Sequence, residues 1–262
     1  ISISCLPTAS FTWDTVCQGI ATPFISTSDT GTFPITSYEW INSGGYYPNN
    51  DSISSIANYI FYNAGPQSAT SLIVSDYLGC SDSIPDFSYV YTNPVAIIAP
   101  INTECEGTVI NFTSLSGNGF GTINQWIWDF GDGNTSTQEH PTHTYIDTCQ
   151  SFTTTLIVID NNTCDDTVEI NHYINCNPTA AFNWNRVCEE LPTQFTDQSF
   201  TTPSNFNITS WGWNFGITAG INSTDTNPSL IYDSCGYDIY RATLVVQDNQ
   251  SPSCIDTTSS LI

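Results

Sequence analysis

Three stretches, LIVSD at 72–76, LIVID at 156–160 and LVVQD at 244–248, are each followed within a few residues by a cysteine: Cys80, Cys164 and Cys254. Each is a short apolar, β-branched run that ends on Asp and enters a turn, which is how a buried strand reads. A second cysteine set, Cys17, Cys105 and Cys188, opens each unit ahead of its run. Two further marks keep the same register: a P-[TV]-A start at Pro7, Pro94 and Pro178, and an aromatic-x-Trp pair at Tyr38 and Trp40, Trp126 and Trp128, and Trp211 and Trp213. The chain therefore reads as three repeats with a period of about 83 to 91 residues. That period suits a seven-stranded immunoglobulin-like sandwich, which needs roughly 100 residues or a little less.

The expected fold is all-β, with three tandem immunoglobulin-like β-sandwiches arranged as a rod. The expected boundaries are 1–6 for the end of a preceding repeat's last strand, 7–93 for sandwich 1, 94–176 for sandwich 2 and 177–262 for sandwich 3. Composition agrees with an extracellular β protein: 13% aromatic residues, no Met, no Lys and 14 Pro among abundant Ser, Thr and Asn, with no amphipathic helical stretch. Ten cysteines imply an oxidising compartment. The net charge is −23, with Arg186 and Arg241 as the only basic side chains, which argues against a nucleic-acid or anionic-membrane partner. No run approaches the ~20 apolar residues of a membrane-spanning helix, and ISISCLPTAS lacks the basic start and apolar core of a signal peptide. A mature segment of an exported protein is expected.

The spacing also predicts that the repeat continues past both ends. Cys80 to Pro94 and Cys164 to Pro178 are each 14 residues, and joining Ile262 to Ile1 would place Pro7 15 residues after Cys254. Two arrangements satisfy this: tandem copies within one long polypeptide, or separate subunits in which residues 1–4 complete the last sheet of a neighbour by strand addition. Either way the expected partners are further copies, head to tail.

Six cysteines at equivalent positions suggest bridges within each unit: Cys17 with Cys80, Cys105 with Cys164 and Cys188 with Cys254. Each would close a loop of about 60 residues, worth roughly 4 kcal/mol in the chain-entropy model. Cys149 and Cys176 flank a hairpin that turns near residues 160–165, so they fall nearly opposite each other. In unit 3 the matching pair is Cys235 and, beyond Ile262, the Cys5 of a following copy. These two thiols of one chain would lie on the order of 100 Å apart in a rod, given about 33 Å per ten-residue strand, beyond a disulfide's reach of about 7 Å. Either they bridge successive copies or both remain thiols.

In unit 2, CEGTVINFTSLS, INQWIWDFGDGNTSTQEHPTHTY and TTTLIVIDNNTCDDTVEI closely resemble the PKD (polycystic kidney disease) domain, whose hallmark is W-D-F-G-D-G followed by P-x-H-x-Y. The matching residues are Trp128–Gly133 and Pro141–Tyr145. Units 1 and 3 depart from it, with YEWINSGG in the first and WNFGITAG and NPSLIY in the third. The resemblance implies an immunoglobulin-like sandwich with a non-catalytic role as spacer or adhesion module. The cysteine-bearing turn SDYLGCSDSI looks like those of very large surface adhesins of gliding bacteria. Asp-[Ser/Thr]-apolar or Thr triplets resemble the O-glycosylation motif of that group and mark Thr15, Ser52, Ser83, Thr167 and Thr257; Asp and Ser/Thr equally suit the turn that starts the last strand.

No catalytic constellation is expected. His140, His143 and His172 are the only histidines, and His143 belongs to the P-x-H-x-Y turn, where a hydrogen bond to backbone is the simplest role. A Gly-rich phosphate loop followed by a lysine is impossible in a chain without Lys, no G-x-S-x-G is present, and no C-x-x-C pair suggests zinc. No cofactor is expected. Calcium stays open at Asp160, Asp165 and Asp166, which crowd one turn with hard oxygen ligands. The aromatic-x-Trp pairs share a strand face and read as core, whereas Tyr46 and Tyr47 are candidates for a contact surface. The expected function is a structural segment of a secreted cell-surface adhesin or filament that gives reach and mechanical strength, in attachment or gliding motility. The alternative is a glycan-binding accessory module of a secreted hydrolase.

Overall fold

A computed structural model of the chain describes residues 6–42, 54–66, 70–87, 89–146, 149–185, 187, 191–202, 206–217, 220–232 and 239–262. Every regular element among them is a β-strand. The buried residues fall into three separate clusters, built from Ala9 to Val90, from Ala96 to Ile174 and from Ala180 to Val246. These cores define sandwiches 1, 2 and 3.

Sandwich 2 shows the design most fully. The strand Ser151–Asp160 alternates strictly, so that Phe152, Thr154, Leu156, Val158 and Asp160 face inward. It pairs antiparallel with Ile123–Asp129 on one side and with Asp165–Asn175 on the other. The sheet is completed by Thr135–Ser136 at one edge and by Glu104–Cys105, which runs parallel to the end of Asp165–Asn175, at the other. Val109–Asn111 and Thr142–Thr144 form the facing pair. The same three-strand motif recurs as Ile35–Ile41, Thr70–Asp76 and Ser81–Asp86 in sandwich 1, and as Ile208–Asn214, Arg241–Asp248 and Ile255–Leu261 in sandwich 3. Each first strand carries an irregularity at the same place, after Ile35, Ile123 and Ile208.

The second aromatic of each pair is the core anchor. Trp40, Trp128 and Trp213 are buried, and their indole N–H groups donate to Ser54 O, Gln138 O and Asp225 O at 2.8–2.9 Å. Burying the ring while pairing its only donor retains the apolar gain without an unmet polar group. Truncating such a Trp costs about 3–5 kcal/mol. Tyr38, Trp126 and Trp211 pack at the rims of the same cores.

The residues of the P-x-H-x-Y turn brace the W-D-F-G-D-G loop. His143 Nε2 lies 2.7 Å from Asp132 Oδ2, its ring stacks on Phe130 at 4.3 Å, and Tyr145 donates to Phe130 O at 2.9 Å. His143 thus bonds a side-chain carboxylate where backbone was expected. Burial pushes the Asp132 carboxyl up, but the Asn134 backbone and side-chain N–H groups and His143 outweigh it, so the group titrates below its ordinary value. Burial raises the Tyr145 phenol to about 12, which keeps its proton available for the Phe130 bond. Tyr232 repeats the bond in sandwich 3, donating to Phe215 O at 3.3 Å.

Candidate functional site: the stapled junctions

The aspartate that ends each core strand builds the turn behind it. Asp76, Asp160 and Asp248 are all buried, and each Oδ1 accepts the amide N–H of the following cysteine, Cys80, Cys164 or Cys254, at 2.9–3.0 Å. The same oxygen accepts a second amide, from Leu78, Asn162 or Gln250. The residue before the cysteine adopts the left-handed conformation in the first two turns: Gly79 at φ 82° and Thr163 at φ 66°. Thr163 is β-branched there, a position that costs a non-glycine residue strain. The turn therefore aims one cysteine outward at the sandwich end.

Cys17 and Cys105 sit at the other end. Cys105 lies beside Asn175, the last residue of Asp165–Asn175, whereas Cys164 precedes that strand's first residue. About 35 Å of strand separates them at 3.3 Å per residue, far beyond bridging distance. The expected Cys17–Cys80 and Cys105–Cys164 bridges are accordingly not formed. Cys17 is bonded to Cys164, with Cα atoms 5.4 Å apart, and Cys105 to Cys254 at 5.7 Å. Both bridges run from the far end of one sandwich to the near end of the next. Cys254 is thereby taken from its expected partner Cys188, which lies outside the described residues with Cys5 and Cys235. Cys149 and Cys176 are bonded within sandwich 2, Cα atoms 4.7 Å apart, and Cys80 is a free thiol.

Each bridge is flanked by polar contacts, of which an Asn side chain donating to a backbone carbonyl recurs at both junctions. At the first junction Asn93 Nδ2 donates to Gln18 O at 3.2 Å, Phe120 N donates to Thr92 O at 3.2 Å, and the Phe120 ring stacks on Tyr91 at 4.7 Å. Gly119 comes so close that a Cβ there would lie 2.3 Å from Thr92 O. At the second junction Asn177 Nδ2 donates to Glu106 O at 3.2 Å and Asn177 N to Glu106 Oε1 at 3.0 Å. Asn175 donates to Pro252 O, and Gln250 Nε2 reaches Cys176 O at 2.7 Å while also meeting Asp248 Oδ2. The Oδ2 atoms of Asp76 and Asp160 are buried and have no hydrogen-bond partner among the described residues. From the sequence, Asp76, Asp160 and Asp248 are read as the ends of their strands and Asp160 as a calcium candidate, but Asn93, Phe120, Asn175, Asn177 and Gln250 are given no junction role; the Asn-Pro pair at 93–94 and 177–178 is a legible signal for two of them.

The Asp-[Ser/Thr] triplets have a structural duty. Asp82, Asp166 and Asp256 each accept the amide N–H of Ala9, Ala96 and Ala180 at 2.8 Å, which fastens the P-[TV]-A start to the last strand. Ser83, Thr167 and Thr257 beside them are exposed at equivalent register positions, opposite Ile73, Ile157 and Val245. Thr15 is exposed as well; Ser52, Tyr46 and Tyr47 lie outside the described residues. The calcium candidates do not converge: Asp160 Oδ1 holds its own turn, Asp166 holds Ala96 and Asp165 is exposed. Among the described residues no three His, Cys, Asp or Glu side chains are placed to hold a metal ion.

Residues 91–174 match the PKD domain family. The match contains the braced W-D-F-G-D-G loop and both ends of sandwich 2; sandwiches 1 and 3 share its register but lie outside the matched residues. PKD domains are typically non-catalytic modules. The pre-pro-metalloprotease PrtV of Vibrio cholerae is 35% identical over 80 residues, 30% of this chain and 9% of that protein, so the chain spans a small part of that curated relative's length. Among solved structures, the PKD1 domain of the V. cholerae metalloprotease PrtV is 32% identical, with 31% of this chain and 96% of that one covered and a TM-score of 0.28. The PKD1 domain of Vibrio anguillarum Epp is 24% identical, with 32% and 95% covered and a TM-score of 0.29.

Proposed function

We propose that this segment is a force-bearing stalk of a secreted bacterial cell-surface adhesin or filament, serving attachment or gliding motility. The observation that carries the reading is that two disulfides cross the junctions between consecutive PKD-type sandwiches. A bridge inside a sandwich protects that sandwich; a bridge between sandwiches hands tension from one to the next without relying on the noncovalent contact. Load that enters sandwich 2 at Cys164 leaves at Cys105, crossing it along Asp165–Asn175. The parallel pairing of that strand with Glu104–Cys105 is then loaded in shear, across its hydrogen bonds. Disulfides place the chain in an oxidising, extracellular setting. The high negative charge keeps neighbouring stalks apart. Ser83, Thr167 and Thr257 are open to O-glycosylation, and discrete glycan mass increments on their peptides in native material would establish it.

The alternative, a glycan-binding accessory module of a secreted hydrolase, draws on the match to part of a metalloprotease. Against its sugar-platform form, Trp40, Trp128 and Trp213 are in the cores. Solution scattering with and without reductant tests the stalk reading. The oxidised chain should hold one extended shape and the reduced chain should gain hinge motion at both junctions; identical profiles would refute it.

A further inference from the structure

The end of sandwich 2 that carries Cys105 is closed over a histidine. His172 is 7% exposed in the strand Asp165–Asn175, and its ring lies 6.0 Å from Phe112, 5.4 Å from Tyr145 and 6.3 Å from Phe152. Neither ring nitrogen meets a hydrogen-bond partner among the described residues. A neutral imidazole has one donor and one acceptor, so burying it unpaired carries a cost that an apolar side chain avoids. Sandwich 3 has the apolar residue at the same register position. Arg241 pairs with Leu261 as Thr153 pairs with Asn171, and the next residue, Ile262, packs on the third core. The charged groups near His172 offer it no counter-ion. From the segment Pro141–Tyr145 it faces His143, which is engaged with Asp132 at 2.7 Å, and the Tyr145 phenol, which donates to Phe130 O. From Ser151–Asp160 and from the residue after Val109–Asn111 it meets the rings of Phe152 and Phe112. Glu169 on its own strand is exposed, Glu106 accepts Asn177 N, and Glu104 lies at the surface beside Asn102 and Pro252. The pieces that enclose the ring are also the ones that hold Cys105 in place. Ile174 pairs with Glu104, Asn175 O accepts Glu106 N at 2.9 Å, and Tyr145 O accepts Gly107 N at 2.7 Å.

We infer that His172 makes the Cys105 end of sandwich 2 an acid-released latch: when it takes up a proton, residues 104–107 part from the strand end at 173–175 while the rest of the sandwich stays folded. A charge without a counter-ion is costly in an apolar enclosure, and water relieves it. Opening this end hydrates the ring without breaking the strand pairs near Asp160. Burial, then the His143 charge, hold the His172 titration below its ordinary value. The closed form therefore keeps its full advantage above about pH 6.5 and loses it, by at most about tenfold per unit, as pH falls from there through the lowered closed-state value. Cys105–Cys254 and Cys149–Cys176 both lie at this end, so the opening is limited covalently. The opening itself concerns sandwich 2 alone. Its use, letting a stalk yield in acid without coming apart, rests on the stalk reading.

The test is amide hydrogen exchange of the whole oxidised chain, followed residue by residue by NMR between pH 7 and 5 and corrected for the intrinsic pH dependence of exchange. The amides of Glu106, Gly107 and Ile174 should lose protection by roughly tenfold, while those of Asp160 and Cys164, at the opposite end, keep theirs. In His172→Ile, which installs the residue type that sandwich 3 carries, all five should keep their protection; His172→Phe replaces it if the first variant does not fold. In the unmodified chain the His172 ring signals should titrate together with the loss of protection. Equal loss at both ends would make the event global unfolding. The same pH response in the variants would remove His172 as its cause, and a ring that titrates without loss of protection would mean that the closed end accommodates the charge. Each of these results overturns the latch. Exchange is read on an unloaded chain, so refutation of the stalk by scattering leaves the opening standing, whereas flat exchange in a chain that passes the scattering test removes only the latch.

Discussion

Pulling on the two ends of one chain in which Cys5, Cys188 and Cys235 are Ser isolates the bridges seen here. Between Cys17 and Cys254 lie about 237 residues, which stretch to roughly 780–850 Å at 3.3–3.6 Å each. The bridges provide a much shorter route: across to Cys164, along to Cys176, across to Cys149, back to Cys105 and across to Cys254. That route contains only about 56 residues of backbone, or roughly 185–200 Å even when every sandwich has unfolded. Tails outside the bridges add the same length in every case. Single-molecule force spectroscopy without reductant should therefore reach its limit some 600 Å short of the reduced chain. Bridges inside each sandwich would leave about 115 residues, or roughly 380–410 Å, in the same route. Cys254→Ser should lengthen the oxidised limit by about 34 residues, roughly 110–120 Å, while Cys80→Ser should leave it unchanged. A limit near 400 Å, or one that lengthens with Cys80→Ser, would refute junction stapling.

Three further outcomes follow from other parts of the structure. His172 is buried among Phe112, Tyr145 and Phe152 with neither ring nitrogen hydrogen-bonded to any described residue, and burial, then the nearby His143 charge, lower its pKa below 6.5. The unfolded chain then binds the extra proton first, so stability held above about pH 6.5 falls as pH drops from there through the lowered folded value. Thermal melts from pH 7 to 5 should show a slope that His172→Phe reduces; parallel slopes would contradict this. Gly119→Ala puts a Cβ against Thr92 O and should cost about 1–3 kcal/mol of overpacking, concentrated at the first junction. Reoxidation of Cys17–Cys164 should slow while Cys105–Cys254 forms normally. Tyr145→Phe removes the only side-chain donor on Phe130 O among the described residues and should cost about 1–3 kcal/mol in chemical denaturation. A change within error would mean that the buried carbonyl finds another partner.

Local chemistry made much of the architecture legible. LIVSD, LIVID and LVVQD are strands because alternate residues must face one core, and the Asp that ends each run is followed by a turn because its carboxylate accepts the next amides. The second Trp or its equivalent in each pair is buried for the same periodic reason, and an 80-odd-residue repeat with these marks leaves little but a sandwich. The candidate site was legible only as a list of cysteines. Equal spacing of Cys17 and Cys80 suggests a pair, yet spacing along the chain carries no information about which end of a strand a residue occupies. Cys105 and Cys164 lie close in sequence and a strand's length apart in space; Cys17 and Cys164 lie 147 residues apart and 5.4 Å apart between Cα atoms. Likewise Asp82, Asp166 and Asp256 read as turn formers or glycosylation marks, and only the packed ends show them fastening the P-[TV]-A start of each unit. Strand, turn and core are decided by neighbours within a few residues and by side-chain periodicity. Disulfide partners are decided by how rigid units stack, which is a property of the ends they present to one another.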